Sequence, residues 1–146
     1  MDKDGKLDEV EIAAWARLLK ASAKLTDAAE ANLKAAGLPP LAWYDALLEL
    51  HRAGTGGLSP ADLEREMLLP QYNVSRLVDR LESAGQAARL PHPDDARRQI
   101  LRITRSGTDL IRRMWRVYRR TIAEEFAARL GKSDAERLAA ILKRLL

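Results

Sequence analysis

Between Leu58 and Gly107 the spacing of the apolar residues changes twice, and these changes limit the folds that the chain can adopt. It opens with two short patterns of helical spacing, and Gly85 suits the C-terminal cap of the second helix. Two partly alternating segments follow, 86–90 and 99–103, as expected for paired strands around a turn rich in proline and aspartate. Two short helices followed by a basic ribbon suit a reader of duplex DNA, because a helix fits the major groove and a ribbon tip reaches the minor groove.

Longer helical patterns lie on both sides of this stretch. Residues 7–36 repeat apolar side chains at helical spacing and end at Gly37, and residues 41–53 form a second pattern. Thr104 can cap a third long helix, which Gly131 ends. A helix as long as the first cannot bury its whole apolar stripe inside a small domain, so we expect a second chain to cover it.

These patterns predict a mainly α fold with a small two- to three-stranded β wing, that is, a winged helix-turn-helix with terminal dimerisation helices. We expect a single domain over residues 1–146. Within it, residues 1–36 and 121–146 would form the dimerisation helices, and residues 41–104 the DNA-binding lobe. Residues 105–130 would form the helix that connects the two parts.

Positive charge is concentrated in one part of the chain. The formal net charge is +4, but residues 86–120 hold 10 Arg against 3 Asp, a local net of +7. Residues 1–66 hold 8 Lys and Arg against 12 Asp and Glu, a local net of −4. Such asymmetry is the footprint expected for phosphate binding. The alternative is a solvated, arginine-rich helix face.

Several function classes find no support in the sequence. The chain contains no cysteine, which excludes disulfides and thiolate zinc sites, and His51 and His92 lack metal-ligand spacing. It has no glycine-rich phosphate loop and no nucleophile-elbow pattern. We therefore predict no catalytic residue, no metal and no cofactor, and hence no enzyme. No apolar run approaches the roughly 20 residues that span a bilayer, and the N-terminus is charged, so we expect a cytoplasmic protein without a membrane partner.

Three motifs together resemble a known family. They are Leu77 to Gly85, Asp95-x-Arg97, and Leu101-x-Ile103-Thr104-x-x-Gly107, and the stretch from Leu38-Pro39 to Trp43-Tyr44-Asp45 is also similar. The chain resembles the MarR (multiple antibiotic resistance regulator) family of winged helix-turn-helix transcription factors. The resemblance implies a homodimer on a pseudopalindromic operator in double-stranded DNA, with the terminal helices as the dimer interface.

The proposed recognition helix carries the first group of candidate DNA-binding residues. Its first turns contain Gln71, Tyr72, Asn73, Ser75 and Arg76. Gln and Asn can pair bidentately with adenine and Arg with guanine, while Ser and Tyr can reach phosphates or bases. The alternative is an ordinary solvent face. The helix begins with Pro-Gln-Tyr-Asn, where many relatives place other residues, so base preference is not carried over.

The predicted wing carries the second group. Arg97 lies at its tip, where a narrow minor groove attracts arginine, and the resemblance implies that Asp95 orients it. Ala96 stands between them, where the family commonly has a basic or small residue. Arg89 and Arg98 are predicted phosphate contacts.

Six aromatic and methionine residues have two interpretations. The resemblance implies a cleft between the dimerisation helices and the DNA-binding lobe, where small aromatic or lipophilic effectors bind. The candidates for its lining are Trp15, Trp43, Tyr44, Met67, Met114 and Trp115. Plain core packing is the interpretation we favour for each of them from spacing alone.

Taken together, the sequence predicts a homodimeric transcriptional repressor that an effector releases from DNA. Two alternatives stay open. One is a ligand-independent architectural DNA-binding protein, and the other is a protein-interaction module built on a winged helix.

Overall fold

The computed structural model describes residues 5–69 and 73–146. Within these ranges the helices are α1 (Glu9–Ala35), α2 (Leu41–Ala53), α3 (Pro60–Glu66), α4 (Val74–Ser83), α5 (Arg105–Thr121) and α6 (Ala128–Lys143). A 3₁₀ turn (Gly54–Gly56) follows α2, and a π-helical segment (Ile122–Ala127) joins α5 to α6. The strands are β1 (Ala87–Pro91) and β2 (Gln99–Ile103). The predicted mainly α fold with a small β wing is confirmed.

The wing is an antiparallel hairpin with one additional bridge. Its register sets Ala87 opposite Ile103 and Pro91 opposite Gln99. Leu58 adds a bridge to the middle of β2: its N–H donates to the Leu101 carbonyl at 3.0 Å, and the Leu101 N–H donates back at 2.8 Å. Two strands and one bridging residue therefore form the wing, and the bridge fixes it to the chain that leads into α3.

Local capping signals set several element ends where the sequence predicts them. The Ser59 hydroxyl accepts a hydrogen bond from the Asp62 N–H at 3.1 Å and opens α3. Thr104 caps α5 in the same way, accepting from the Gly107 N–H at 3.1 Å. Gly85 follows α4 with a left-handed φ of 74°, a conformation that favours glycine at a helix C-terminus. These signals fix where α3 and α5 begin and where α4 ends.

The hydrophobic core lies where α2 and α5 meet the C-terminal half of α1 and the short helices α3 and α4. Each of these elements and β2 contributes at least one fully buried side chain: Leu33, Leu47, Leu50, Leu63, Leu81, Leu101 and Met114. The N-terminal half of α1 lies outside this core, and Val10 and Trp15 are 76% and 66% exposed. The core therefore holds the helix-turn-helix and wing on α5, while an apolar stripe of α1 stays uncovered.

The helical segment that begins at Arg105 ends near Gly131, as the sequence predicts. It passes through the π-helical segment and breaks at Gly131, where φ is 76° and ψ is 167°. At the end of α5 the side chain of Thr121 is buried and accepts a hydrogen bond from the Asn32 amide at 2.8 Å. This bond ties α5 to α1. No helix within residues 5–69 and 73–146 has both the length and the apolar character that a membrane crossing requires.

Candidate functional site

One face of α4 is buried and the opposite face is polar. Val74 and Leu77 pack into the core, whereas Ser75 and Arg76 are exposed to solvent. The apolar side chains at helical spacing therefore turn the polar ones outward, as a groove-reading helix requires. Gln71 and Tyr72, which were predicted to share this site, lie outside the described residues.

Asn73 has a different place from the predicted one. The helix begins at Val74, so Asn73 is its N-cap, and its Oδ1 accepts a hydrogen bond from the Arg76 N–H at 2.9 Å. Bidentate pairing with adenine needs both the amide oxygen and the amide nitrogen. The cap occupies one of the two acceptor positions of the amide oxygen, so the structure gives Asn73 a helix-capping role, and its contact with adenine stays a prediction.

The tip of the wing is a tight turn that presents arginine. The Asp95 carboxylate accepts a hydrogen bond from the Arg97 N–H at 3.0 Å, and the same oxygen lies 3.8 Å from Arg97 Nε. The Asp95 carbonyl accepts from the Arg98 N–H at 3.0 Å and closes the turn. The Arg97 side chain is 95% exposed, and Arg98 is also exposed. Asp95 thus fixes the backbone from which an unburied guanidinium extends.

Arg89 does not present a free guanidinium. It forms an ion pair with Asp79 of α4 and lies 3.7 Å from the Glu82 carboxylate, and its side chain is only 28% exposed. Two carboxylates already accompany this positive charge, which argues against the predicted phosphate contact. Arg89 instead connects β1 to α4, so it holds the wing against the recognition helix.

Three aromatic rings form a cluster between α2 and α5. The rings of Tyr44 and Trp115 stack with centroids 6.1 Å apart and an interplanar angle of 13°. Tyr118 meets both rings edge-on, with centroid distances of 5.4 Å to Tyr44 and 6.0 Å to Trp115. Such stacked and edge-on geometries are those that aromatic rings prefer.

Two cavities adjoin this cluster. The first, the α1 cavity, has a volume of about 420 Å³ and lies between α1, α2 and the π-helical segment, with Leu25, Ala29 and Phe126 in its wall. The second, the aromatic cavity, has a volume of about 400 Å³, and Tyr44 and Trp115 lie in its wall. Both cavities share the lining residues Leu41, Leu68, Leu69 and Tyr118. Their volumes suit small organic molecules.

Only two of the six predicted effector residues line these cavities, namely Tyr44 and Trp115. Met67 and Met114 are buried in the core, so core packing is the right interpretation for them. Trp43 is half-buried against the core and lines neither cavity. Trp15 lies on the exposed half of α1, in a separate apolar groove that it forms with α6. These four residues line neither cavity, so an effector contact for them stays a prediction without support from the described structure.

Asp45 is a residue of the site that sequence reasoning did not select. It is 5% exposed and lines the aromatic cavity. Its two carboxylate oxygens accept the N–H groups of Leu68 and Leu69 at 2.9 and 2.7 Å. These two residues lie in the segment between α3 and α4. One buried carboxylate thus joins the cavity wall to the chain that leads into the recognition helix. The sequence signal for this role was an acidic residue four positions after Leu41, on the buried side of α2.

The two tyrosines of the cluster stay neutral at neutral pH. Burial raises the pKa of Tyr44, and the neighbouring Tyr118 adds to this while Arg52 opposes it. Burial is also the main cause that raises the pKa of Tyr118, and the negative charge of Asp45 raises it further. The carboxylate of Asp45 therefore creates a negative potential that reaches the aromatic rings. Within residues 5–69 and 73–146 no group of three or more His, Asp or Glu side chains is placed to hold a metal ion.

Part of the sequence matches a known protein family and one of its members. A profile described as the MarR family matches residues 36–98, from the end of α1 to the wing tip. The chain is 24% identical over 89 residues to the multiple antibiotic resistance protein MarR of Escherichia coli (strain K12). That match spans 61% of this chain and 62% of the relative, so the matched part is about three fifths of the relative's length.

Solved structures share the fold over almost the whole chain. Sco3205, a MarR family transcriptional regulator from Streptomyces coelicolor solved in complex with DNA, superposes with a TM-score of 0.85 at 23% identity, covering 96% of this chain and 91% of its own. BpsR of Bordetella bronchiseptica, whose DNA binding is regulated by 6-hydroxynicotinic acid, superposes with a TM-score of 0.79 at 18% identity, covering 97% of each chain. Both the order of elements and their packing are therefore those of these winged-helix proteins.

Proposed function

The chain belongs to the MarR family of winged helix-turn-helix transcriptional regulators, which are not enzymes, and from this premise we propose that it is a homodimeric repressor. In this proposal it binds a pseudopalindromic operator in double-stranded DNA and is released from it by a small effector. Its place of action would be the cytoplasm.

The observation that supports DNA binding most is that two polar parts of the surface are exposed together: the solvent face of α4 and the tip of the wing. Ser75 and Arg76 lie on the solvent face of α4, and Arg97 extends from the wing tip. Arg89 holds the wing against α4 through Asp79, so the two groups are fixed relative to each other. A helix that enters the major groove beside a wing arginine in the minor groove makes use of both.

The uncovered apolar surfaces support a dimer. Four apolar side chains are each more than half exposed: Trp15 and Leu19 on α1, Ile141 on α6, and Leu145 just after α6. Trp15, Ile141 and Leu145 border a groove of about 370 Å³ between the two helices. An exposed apolar surface of this kind marks an interaction site. We propose that residues 1–36 and 121–146 form the dimer interface, so that a second copy supplies the second recognition helix.

The same proposal assigns the remaining parts of the chain. Residues 41–104 would form the DNA-binding lobe and residues 105–130 the connecting helix, all within a single domain over 1–146. The two cavities lie where the connecting helix meets α1 and α2. Their position supports an effector site, as does the regulation of BpsR by a small aromatic molecule. Through Asp45, a ligand in the aromatic cavity would act on the turn before α4.

Selection of bound sites from random duplexes tests this proposal. The wild-type chain should enrich an inverted repeat, and Arg76→Ala should relax the preference at particular base pairs, with a cost of about 1–3 kcal/mol. Arg112→Ala is the matched control, because this exposed arginine belongs to α5 and to neither the proposed recognition helix nor the wing. Binding without any enriched sequence would instead support an architectural DNA-binding protein, and no DNA binding would support a protein-interaction module.

A further inference from the structure

Aromatic rings form part of the wall of the aromatic cavity. Tyr44 and Trp115 lie nearly parallel, and Tyr118 closes the cluster edge-on. Trp115 is 42% exposed, so part of this aromatic surface is open to a ligand. The faces of aromatic rings carry negative electrostatic potential, which attracts cations.

The charged groups in the wall of this cavity are predominantly acidic. Asp45, Glu49 and Glu66 contribute three carboxylates, whereas Arg52 contributes one guanidinium. Arg52 is paired with Glu49 at 2.8 Å, and its side chain is 64% exposed, so it lies at the rim. Two carboxylates, Asp45 and Glu66, stay without a basic partner among the described lining residues. The cavity therefore combines aromatic faces with a net negative charge.

We infer that the aromatic cavity binds an organic cation: an amine or quaternary ammonium group attached to an aromatic or apolar body. This inference rests on the proposed function, since the cation would be the effector of the regulator. The body fills the space beside Trp115, and the cationic group lies against the ring faces and near Asp45. A carboxylic acid of the same size meets like charge in the same place and binds more weakly.

The position of Asp45 couples this ligand to DNA recognition. Its carboxylate holds the N–H groups of Leu68 and Leu69, and the same two residues line the cavity. A cation beside the carboxylate attracts its negative charge and so weakens the two charge-assisted hydrogen bonds from these N–H groups. Binding then loosens the turn before α4 and lowers the affinity for the operator, because the ligand favours a different position of that turn.

Calorimetric titration of the full chain without DNA tests the ligand class. Three probes of similar size differ in charge: benzyltrimethylammonium, 2-phenylethanol and 3-phenylpropionate. The cation should bind about tenfold or more tightly than either of the others. Equal or tighter binding of 3-phenylpropionate overturns the inference, and so does the absence of binding by the cation.

Two variants locate the site and one serves as the control. Trp115→Leu and Glu66→Gln should each weaken binding of the cation about threefold to tenfold, since both residues line the cavity. Both side chains are exposed enough to be replaced without loss of the fold. Glu64→Gln removes the same charge from α3 outside the cavity and should leave the affinity unchanged. Equal effects of the two glutamate variants would refute the assignment of the site.

A parallel titration with operator DNA separates this inference from the proposed function. Operator binding that stays intact while the cation fails to bind overturns the ligand class alone. A chain that binds the cation but selects no operator overturns the proposed function and leaves the ligand class supported. If benzyltrimethylammonium releases the operator from the wild-type chain and fails to release it from Trp115→Leu, the ligand class and the proposed function are both supported.

Discussion

Replacement of Asp45 by asparagine removes the contact that joins α2 to the turn before the recognition helix. The carboxylate accepts two backbone N–H groups, from Leu68 at 2.9 Å and from Leu69 at 2.7 Å. Asparagine keeps one acceptor oxygen and brings an NH₂ group, which cannot accept a hydrogen bond. One of the two backbone donors therefore loses its partner and faces another donor.

The size of the effect follows from these two bonds. A hydrogen bond to a charged group contributes about 1.5–3 kcal/mol, and a buried donor without a partner costs about 1–3 kcal/mol. Since one bond is lost and the other becomes neutral, we expect Asp45→Asn to lower the free energy of unfolding by about 2–4 kcal/mol. For a chain of this size that corresponds to a fall in Tm of about 5–15 °C.

Affinity for the operator should also fall, because the turn no longer holds α4 in one position. We expect about 5–30-fold weaker binding at a temperature where the variant is fully folded, equivalent to about 1–2 kcal/mol. Fluorescence anisotropy with a labelled operator measures this at fixed salt. Thr121→Val is the control: it removes the bond from Asn32 to Thr121 at the α1–α5 contact and leaves both hydrogen bonds of Asp45 in place. If Thr121→Val weakens operator binding as much as Asp45→Asn, the turn is not the route and the reasoning fails.

Three further predictions concern the wing, the packing of α5 and the assembly. Arg97→Ala should weaken operator binding more on A·T-rich than on G·C-rich flanks. Its Tm should stay unchanged, because the side chain is 95% exposed. Arg97→Lys should restore only part of the lost affinity, and equal operator affinities of wild type and Arg97→Ala would exclude a wing contact with DNA. Gly107→Ala should lower the free energy of unfolding by about 1–3 kcal/mol in chemical denaturation, since a Cβ there would lie 2.2 Å from the Gln86 carbonyl oxygen; an unchanged midpoint would refute this. Deletion of residues 133–146 should give aggregates or unfolded chains in sedimentation, whereas a folded, soluble monomer would contradict the proposed dimer.

Elements with local signals could be predicted from the sequence. The bounds of α2 (Leu41–Ala53) and β2 (Gln99–Ile103) agree with the sequence patterns. Gly85 and the hydroxyl caps also act where they were expected. The reason is that caps and periodicity depend on neighbours within a few residues.

Roles that depend on tertiary contacts could not be predicted in this way. Arg89 pairs with Asp79 across ten positions, and Asp45 holds N–H groups 23 and 24 positions away. Both side chains are polar residues whose partners only the fold brings near. Tyr118 shows the same limit, because helical spacing marks it as a core position and does not show the cavity beside it.

In the proposed dimer, two recognition helices read two half-sites from one face of the DNA. Anisotropy titration with the selected operator, compared with a duplex that carries five additional base pairs between the half-sites, tests this arrangement most directly. About five base pairs turn the second half-site to the opposite face, since one helical turn is about 10–10.5 base pairs. We expect the lengthened duplex to bind at least about tenfold more weakly, and no better than a single half-site. Equal affinity for the two duplexes would contradict it.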